Sequence, residues 1–343
     1  PDPKEDELLV RSCAVGICGS DNILYKWTKD AQVIAKTPFI PGHECVGIVV
    51  KGGTKTKMSL GTRIAVENHF YCGECYLCKI GRTDICGNLS QFGHGKGTKY
   101  GGMAQYFIVK EKYCYRLRTN ISWRDAALLE PLGVAYNACV QCDSNLYVKY
   151  NDTINSVNEY CLIIGCGTIG LLSIGVLKAK KYTNIIAVDI VEDKLNVAKK
   201  MGAKYVINGM KTPDIKAEIF KITNNVGASK IIECSGNAKM VSGTFEFVRK
   251  GGNIVFVGLP KTDLVVKNPM KEIVFKSIQL RTVHGRRIFG TWKATEQLVA
   301  KGKINLDLVM SKKYNMVPLT QFEQVFKDFA KGKEMKIVFD PQK

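Results

Sequence analysis

An α/β chain of two domains is predicted, one β-rich and one built on a doubly wound parallel sheet. Three observations carry this. The chain has 343 residues, more than one typical core accommodates. Strand-like runs broken by glycines fill the first part, and from Cys161 a regular alternation of strands and helices takes over. A glycine-rich turn, Gly165-Cys166-Gly167-Thr168-Ile169-Gly170, sits where the first strand of that alternation meets its helix.

The first part reads as strands at 7–15, 46–50 and 62–67, followed by short apolar runs to Val109. Between Asp125 and Cys142 the apolar spacing becomes helical, with a bend expected at Pro131. Residues 143–159 are polar and asparagine-rich, as in a surface connection. Strands are then expected at 161–164, 185–188, 205–207, 230–233, 253–258 and 278–283, with helices from Thr168, Glu192, Ile215 and Lys239. The tail holds an amphipathic helix with Phe322, Val325, Phe326 and Phe329 on its inner face, then a strand at 335–339. The domain boundaries drawn from this are 1–133 with 291–343 returning to it, and 134–290.

Composition is that of a folded, water-exposed protein: 45% hydrophobic and 24% charged residues, with no run of the ~18 apolar residues a membrane helix needs. No membrane partner is expected. The formal charge of +19 raises nucleic acid as a partner, but the lysines are scattered and no aromatic-interleaved basic stripe exists, so no specific nucleic-acid partner is expected. The thirteen cysteines combine one tight cluster with dispersed apolar positions, which implies metal usage in a reducing compartment, the cytoplasm. The chain begins at Pro1 without Met, so the natural N-terminus is expected to lie upstream.

Cys72, Cys75, Cys78 and Cys86 follow the pattern C-x2-C-x2-C-x7-C. Four thiolates with no spare ligand position describe a closed, structural zinc site, against the alternatives of a metal-free loop or an iron–sulfur cluster. In the glycine turn, Gly165, Gly167 and Gly170 admit a pyrophosphate to the helix start at Thr168 and Ile169. Asp189, nineteen residues beyond Gly170 at the end of the next strand, suits adenosine ribose hydroxyls and repels a 2′-phosphate, so NAD is expected over NADP. Lys194 follows closely and weakens that preference.

A catalytic zinc needs about three protein ligands and one open position. Cys18, His43 and Glu44 can form such a set, with Glu130 in Leu129-Glu130-Pro131-Leu132 as a further candidate. With the four-cysteine loop and the glycine turn, Cys18-Gly19-Ser20-Asp21 and Gly42-His43-Glu44 give the chain a pattern that resembles the zinc-dependent medium-chain alcohol dehydrogenases over nearly its whole length.

That resemblance implies a GroES-like catalytic domain and a Rossmann dinucleotide domain. It implies zinc, one catalytic ion on Cys18, His43 and Glu44 and one structural, together with NAD. Glu130 becomes an exchanging ligand or a carboxylate facing substrate, and Ser20 the first hydroxyl of a proton relay, although alone it reads as a turn residue. Arg286, in His284-Gly285-Arg286-Arg287, is implied to contact cofactor ribose or phosphates; by itself it is an ordinary surface charge. The relay departs from the family at Ile23, where related chains carry a histidine, and His69 is a candidate substitute or substrate contact. The expected partner is a small-molecule alcohol, oxidised by hydride transfer to NAD, first of all L-threonine to 2-amino-3-oxobutanoate. Sorbitol or 2,3-butanediol, or a non-enzymatic nucleotide- or nucleic-acid-binding role, are the alternatives. A homo-oligomer, dimer or tetramer, is also implied.

Overall fold

Strand β1 (Glu7–Gly16) is the centre from which the first part of the chain is built. The computed structural model describes residues 2–143 and 159–343, so the asparagine-rich connection lies outside the described residues. After β1 come helices α1 (Gly19–Tyr25) and α2 (Lys29–Ile34), and strands β2 (Glu44–Gly52), β3 (Arg63–Val66) and β4 (His69–Phe70). Helix α3 (Tyr76–Lys79) and strands β5 (Ser90–Gln91), β6 (Tyr106–Lys110) and β7 (Cys114–Arg116) follow. Helix α4 (Trp123–Ala127) is capped by the Ser122 hydroxyl and gives way to α5 (Leu129–Asp143). The helical stretch is broken at Leu128, three residues before Pro131. Pro131 itself stands in the first turn of α5, where its missing N–H has no helical partner to lose.

The alternation appears as β8 (Tyr160–Ile164), α6 (Thr168–Ala179), β9 (Asn184–Asp189), α7 (Glu192–Met201), β10 (Tyr205–Asn208) and α8 (Ile215–Ile222). It continues with β11 (Ala228–Glu233), α9 (Ala238–Phe247), β12 (Val248–Phe256) and β13 (Gln279–Thr282). The chain ends with α10 (Gly290–Ala300), which the sequence reading missed, then β14 (Met310–Pro318), α11 (Phe322–Phe329) and β15 (Lys336–Asp340).

Two compact units result: residues 1–133, 285–302 and 310–343 in one, and 134–284 with 303–309 in the other. These differ from the boundaries drawn from sequence at two short segments. Residues 285–290 belong to the first unit, where Arg286 packs over Gly133. Residues 303–309 belong to the second, where Gly175 of α6 leaves room for Ile304 and Met201.

The first unit holds a seven-stranded sheet in the order β14-β15-β1-β2-β3-β7, with β6 also pairing β1. All its pairings are antiparallel except β14 with β15. Alternating residues of these strands (Leu8, Val10, Val49, Ile64, Phe107, Phe339) meet in one buried core. Each fully buried side chain of this size contributes about 1.5–3 kcal/mol. The second unit holds a six-stranded, wholly parallel sheet in the order β10-β9-β8-β11-β12-β13. Its strand order reverses between β8 and β11, and in such sheets ligands bind at the carboxyl ends of the strands beside that reversal. Among the described residues, no helix is long and apolar enough to cross a membrane.

Candidate active site

The pairing of β1 with β2 brings the first ligand candidates together. Gly16 lies opposite Glu44 and Val15 opposite Cys45, so the chain leaving β1 at Cys18 passes beside His43. Gly42 makes this approach possible: its φ is +95°, and a Cβ there would stand 2.8 Å from Met103 Cγ and 2.9 Å from Val15 Cγ2. The donor atoms of Cys18, His43 and Glu44 lie within 4.8 Å of one another.

Cys18 caps α1, and its backbone N–H donates to Asp21 Oδ2 at 2.8 Å. The other Asp21 oxygen is 3.5 Å from His43 Nδ1, and both atoms are buried with no other hydrogen-bond partner. A metal on the remaining nitrogen fixes the proton on Nδ1, where Asp21 can accept it, so this orphaned pair fits a metal-bound histidine. Burial alone would lower the His43 pKa, but the Asp21 carboxylate and the Cys18 thiol outweigh it and hold the group well above its ordinary value. Glu44 is pushed up by burial and by Glu130, and Lys336 opposes this. The Lys336 ammonium, itself buried on β15, donates to Glu44 and to Ile17 O, the latter at 2.7 Å.

Glu130 is not part of that donor set. Its Oε1 accepts from Asn68 Nδ2 at 3.0 Å and from Arg286. Arg286, expected from sequence at the cofactor, is instead 1% exposed, with its guanidinium committed to Glu67, Glu130 and Asn68 Oδ1. The cause is charge: two buried carboxylates need a buried cation, and a planar fork can serve both. Trp292 Nε1 donates to Glu67 at 2.7 Å and completes the network. His69 donates its backbone N–H to Glu67 at 3.0 Å, and its ring fills the space a side chain at Gly285 would need. Ser20 lies half-buried in the first turn of α1. Ile23 packs with Leu24, Ala31 and Ala35.

Sequence reasoning gave no role to Asp21, His94, Glu67, Asn68 or Lys336. Asp21 could have been found from its spacing three residues after Cys18. His94, between two glycines, is buried with its ring 5.0 Å from that of His43 and its Nδ1 3.2 Å from Phe92 O. Burial first, and then the His43 charge, lower its pKa to about 4.

The four-cysteine loop is closed on itself. Sulfur–sulfur distances are 3.5 Å for Cys72–Cys86, 3.8 Å for Cys75–Cys86 and 4.0 Å for Cys72–Cys78. A tetrahedral ion with Zn–S bonds of about 2.3 Å separates its sulfurs by roughly 3.8 Å, so the set fits zinc. Backbone N–H groups of Cys78 and Gly87 lower the Cys75 pKa to about 6, whereas burial pushes Cys78 up to about 12.

In the second unit Gly165 has φ +90°, and a Cβ on Gly170 would collide with Gly165 O. The strand thus turns tightly into α6, which opens at Thr168 and Ile169 with Gly167 as its cap. Asp189, at the end of β9, accepts from Cys166 N at 2.6 Å and Val191 N at 2.9 Å, which aims its carboxylate at the glycine turn. Lys194 is half-buried in the first turns of α7.

Comparison with known proteins matches both units. Residues 4–119 match the alcohol dehydrogenase GroES-like domain and residues 168–301 the zinc-binding dehydrogenase domain. L-threonine 3-dehydrogenase of Thermococcus kodakarensis is 33% identical, covering 100% of this chain and 93% of its own. The enzyme of that name from Pyrococcus furiosus is 32% identical, covering 99% and 92%. The crystal structure of 2R,3R-butanediol dehydrogenase from Bacillus subtilis superposes with a TM-score of 0.82 at 25% identity, covering 99% of this chain and 94% of that one. With relatives of this identity along its full length and both domains matched, the chain is an enzyme of the zinc- and NAD-dependent medium-chain alcohol dehydrogenase family.

Proposed function

We propose that the enzyme oxidises the C3 hydroxyl of L-threonine to give 2-amino-3-oxobutanoate, with NAD as the oxidant. The observation that carries the chemistry is the gathering of Cys18, His43 and Glu44 donors within 4.8 Å, beside the buried Asp21 carboxylate. The substrate rests on the relatives at 28–33% identity that bear the name L-threonine 3-dehydrogenase.

When bound, zinc supplies Lewis acidity toward the alcohol oxygen, and NAD supplies the hydride acceptor. Cys18, His43 and Glu44 hold the metal, and Asp21 orients His43. Lys336 offsets the charge of Glu44 and so keeps that carboxylate from repelling Glu130. Ser20 receives the hydroxyl proton. Ile23 cannot pass it on, so His69 is this chain's own candidate to carry the proton onward; a bound cofactor would offer its ribose hydroxyl as the other acceptor. Glu130, fixed at one oxygen by Arg286 and Asn68, presents its carboxylate toward substrate, where it suits an ammonium group. Gly165, Gly167 and Gly170 admit the pyrophosphate, and Asp189 takes the ribose hydroxyls. The four cysteines hold the structural zinc. The enzyme works in the cytoplasm as a homo-oligomer.

A diol or polyol substrate is the second reading, favoured by the likeness to butanediol dehydrogenase. The deciding experiment measures NADH formation by zinc-replete enzyme on L-threonine, 2,3-butanediol, sorbitol and simple secondary alcohols. Threonine turned over well above the rest is the expected result. A diol or polyol turned over in its place would discard the substrate and keep the mechanism.

A further inference from the structure

Glu233 is a buried carboxylate at the carboxyl end of β11, beside the strand-order reversal, and the mechanism above gives it no task. Its Oε1 accepts from Ser235 N at 2.9 Å, from the Ser235 hydroxyl, and from Gly236 N at 3.2 Å; its Oε2 also lies 3.2 Å from Gly236 N. One side chain thus gathers every polar hydrogen of a two-residue turn.

That turn is packed on the glycine motif. A Cβ on Gly165 would stand 2.8 Å from Ser235 N and 2.9 Å from Ser235 Cα. On its other side, Gly236 has φ +64° and its missing Cβ leaves room for Leu259 O, 2.8 Å from where that Cβ would be. The backbone binds in the same sense. Cys234 N donates to Ile164 O at 2.8 Å, and Val257 N and Gly258 N donate to Glu233 O at 2.9 Å each. Glu233 therefore ties together the carboxyl ends of β8, β11 and β12, the edge where a parallel sheet of this order receives its ligand.

We propose that Glu233 is a positioning residue for the dinucleotide: its carboxylate fixes the Ser235–Gly236 turn against Gly165 and so sets the width of the cofactor cradle. This rests on the NAD reading above. An uncharged core residue at 233 would leave the turn's donors without an acceptor, and the turn would leave the glycine motif to satisfy them with water. A glutamine keeps the shape and the Oε1 acceptor, but it loses the charge that strengthens all three bonds, and its amide N–H2 replaces Oε2 opposite the Gly236 N–H.

The test uses zinc-loaded, full-length enzyme. NADH binding is followed by fluorescence, and KM for NAD and for the alcohol are measured separately. For Glu233→Gln, Kd for NADH and KM for NAD are expected to rise about tenfold, the loss of roughly one hydrogen bond to a charged group. KM for the alcohol and zinc content should stay at wild-type values. Ser235→Ala removes one donor only and is expected to weaken NADH binding about threefold, which keeps the proposal testable if the first variant does not fold. Binding of NADH unchanged in both variants, or losses spread equally over NAD and alcohol, would overturn it. Wild-type enzyme that binds no NADH would sink the dinucleotide reading and this proposal with it.

Discussion

Arg286 Nη1 donates to Oε1 of Glu130, and the same guanidinium reaches Glu67 and Asn68, so a single cation answers two buried carboxylates. Burial would lower its pKa, yet Glu130 and Glu67 raise it. Substituting Arg286→Met leaves both carboxylates buried without a counter-charge, and removing one partner of such a pair costs about 3–5 kcal/mol. Urea denaturation should show that loss. Arg286→Lys should recover only part of it, because an ammonium cannot span both carboxylates as the fork does. Wild-type stability in Arg286→Met would contradict the network.

The two zinc sites should separate by mutation. Cys18→Ser is expected to lose one of two zinc ions and nearly all turnover while melting close to wild type. Cys75→Ser should also lose one ion, but it should open the 72–86 loop to protease. Asp21→Asn should retain both ions with catalytic-site affinity lowered about 10–100-fold, as for other partners of metal-bound histidines. Chelator competition measures this; unchanged affinity would remove Asp21 from the site.

Replacing Asp189 by serine tests cofactor choice. Hydrogen bonds to a charged group contribute about 1.5–3 kcal/mol, so NAD binding should weaken roughly 10–100-fold and NADP turnover should rise. A variant with unaltered preference would mean that another group discriminates.

His94 gives the stability a pH dependence of definite sign. Its pKa is lowered to about 4 in the fold from 6.5, by burial first; the His43 charge adds to this only where no metal holds His43 neutral. Between those values the unfolded chain binds a proton that the folded chain refuses. Its contribution is therefore complete above pH 6.5, is lost as pH falls toward 4, and amounts to roughly 3 kcal/mol. The denaturation free energy of wild type should fall more steeply across this window than that of His94→Leu, with zinc counted in both. Parallel slopes would show that His94 is not the group responsible.

What the sequence made legible was local. The four cysteines fall within fifteen residues, and the glycine turn is contiguous with its strand and helix, so spacing alone carried both. Cys18, His43 and Glu44 were reached through flanking motifs. Side chains paired across the fold were not legible: Arg286 finds Glu67 across 219 positions, and Lys336 finds Glu44 across 292. No periodicity records such pairings. Arg286 looked like a surface cation because arginine usually is one. Helix α10 lacks the hydrophobic periodicity that marks a helix, because three of its four buried residues, Thr291, Thr295 and Glu296, are polar and only Trp292 is apolar.

The closing of β15 onto β1 has a consequence for the order in which the protein is made. Every proposed zinc ligand has been synthesised by residue 86, yet the ammonium that neutralises Glu44 is added 250 positions later, at Lys336. Until β15 has left the ribosome, β1 lacks one neighbour and Glu44 must remain in water or protonated. The catalytic site is therefore finished only once Lys336 has been added and β15 has paired, whereas the four-cysteine loop can capture metal long before that.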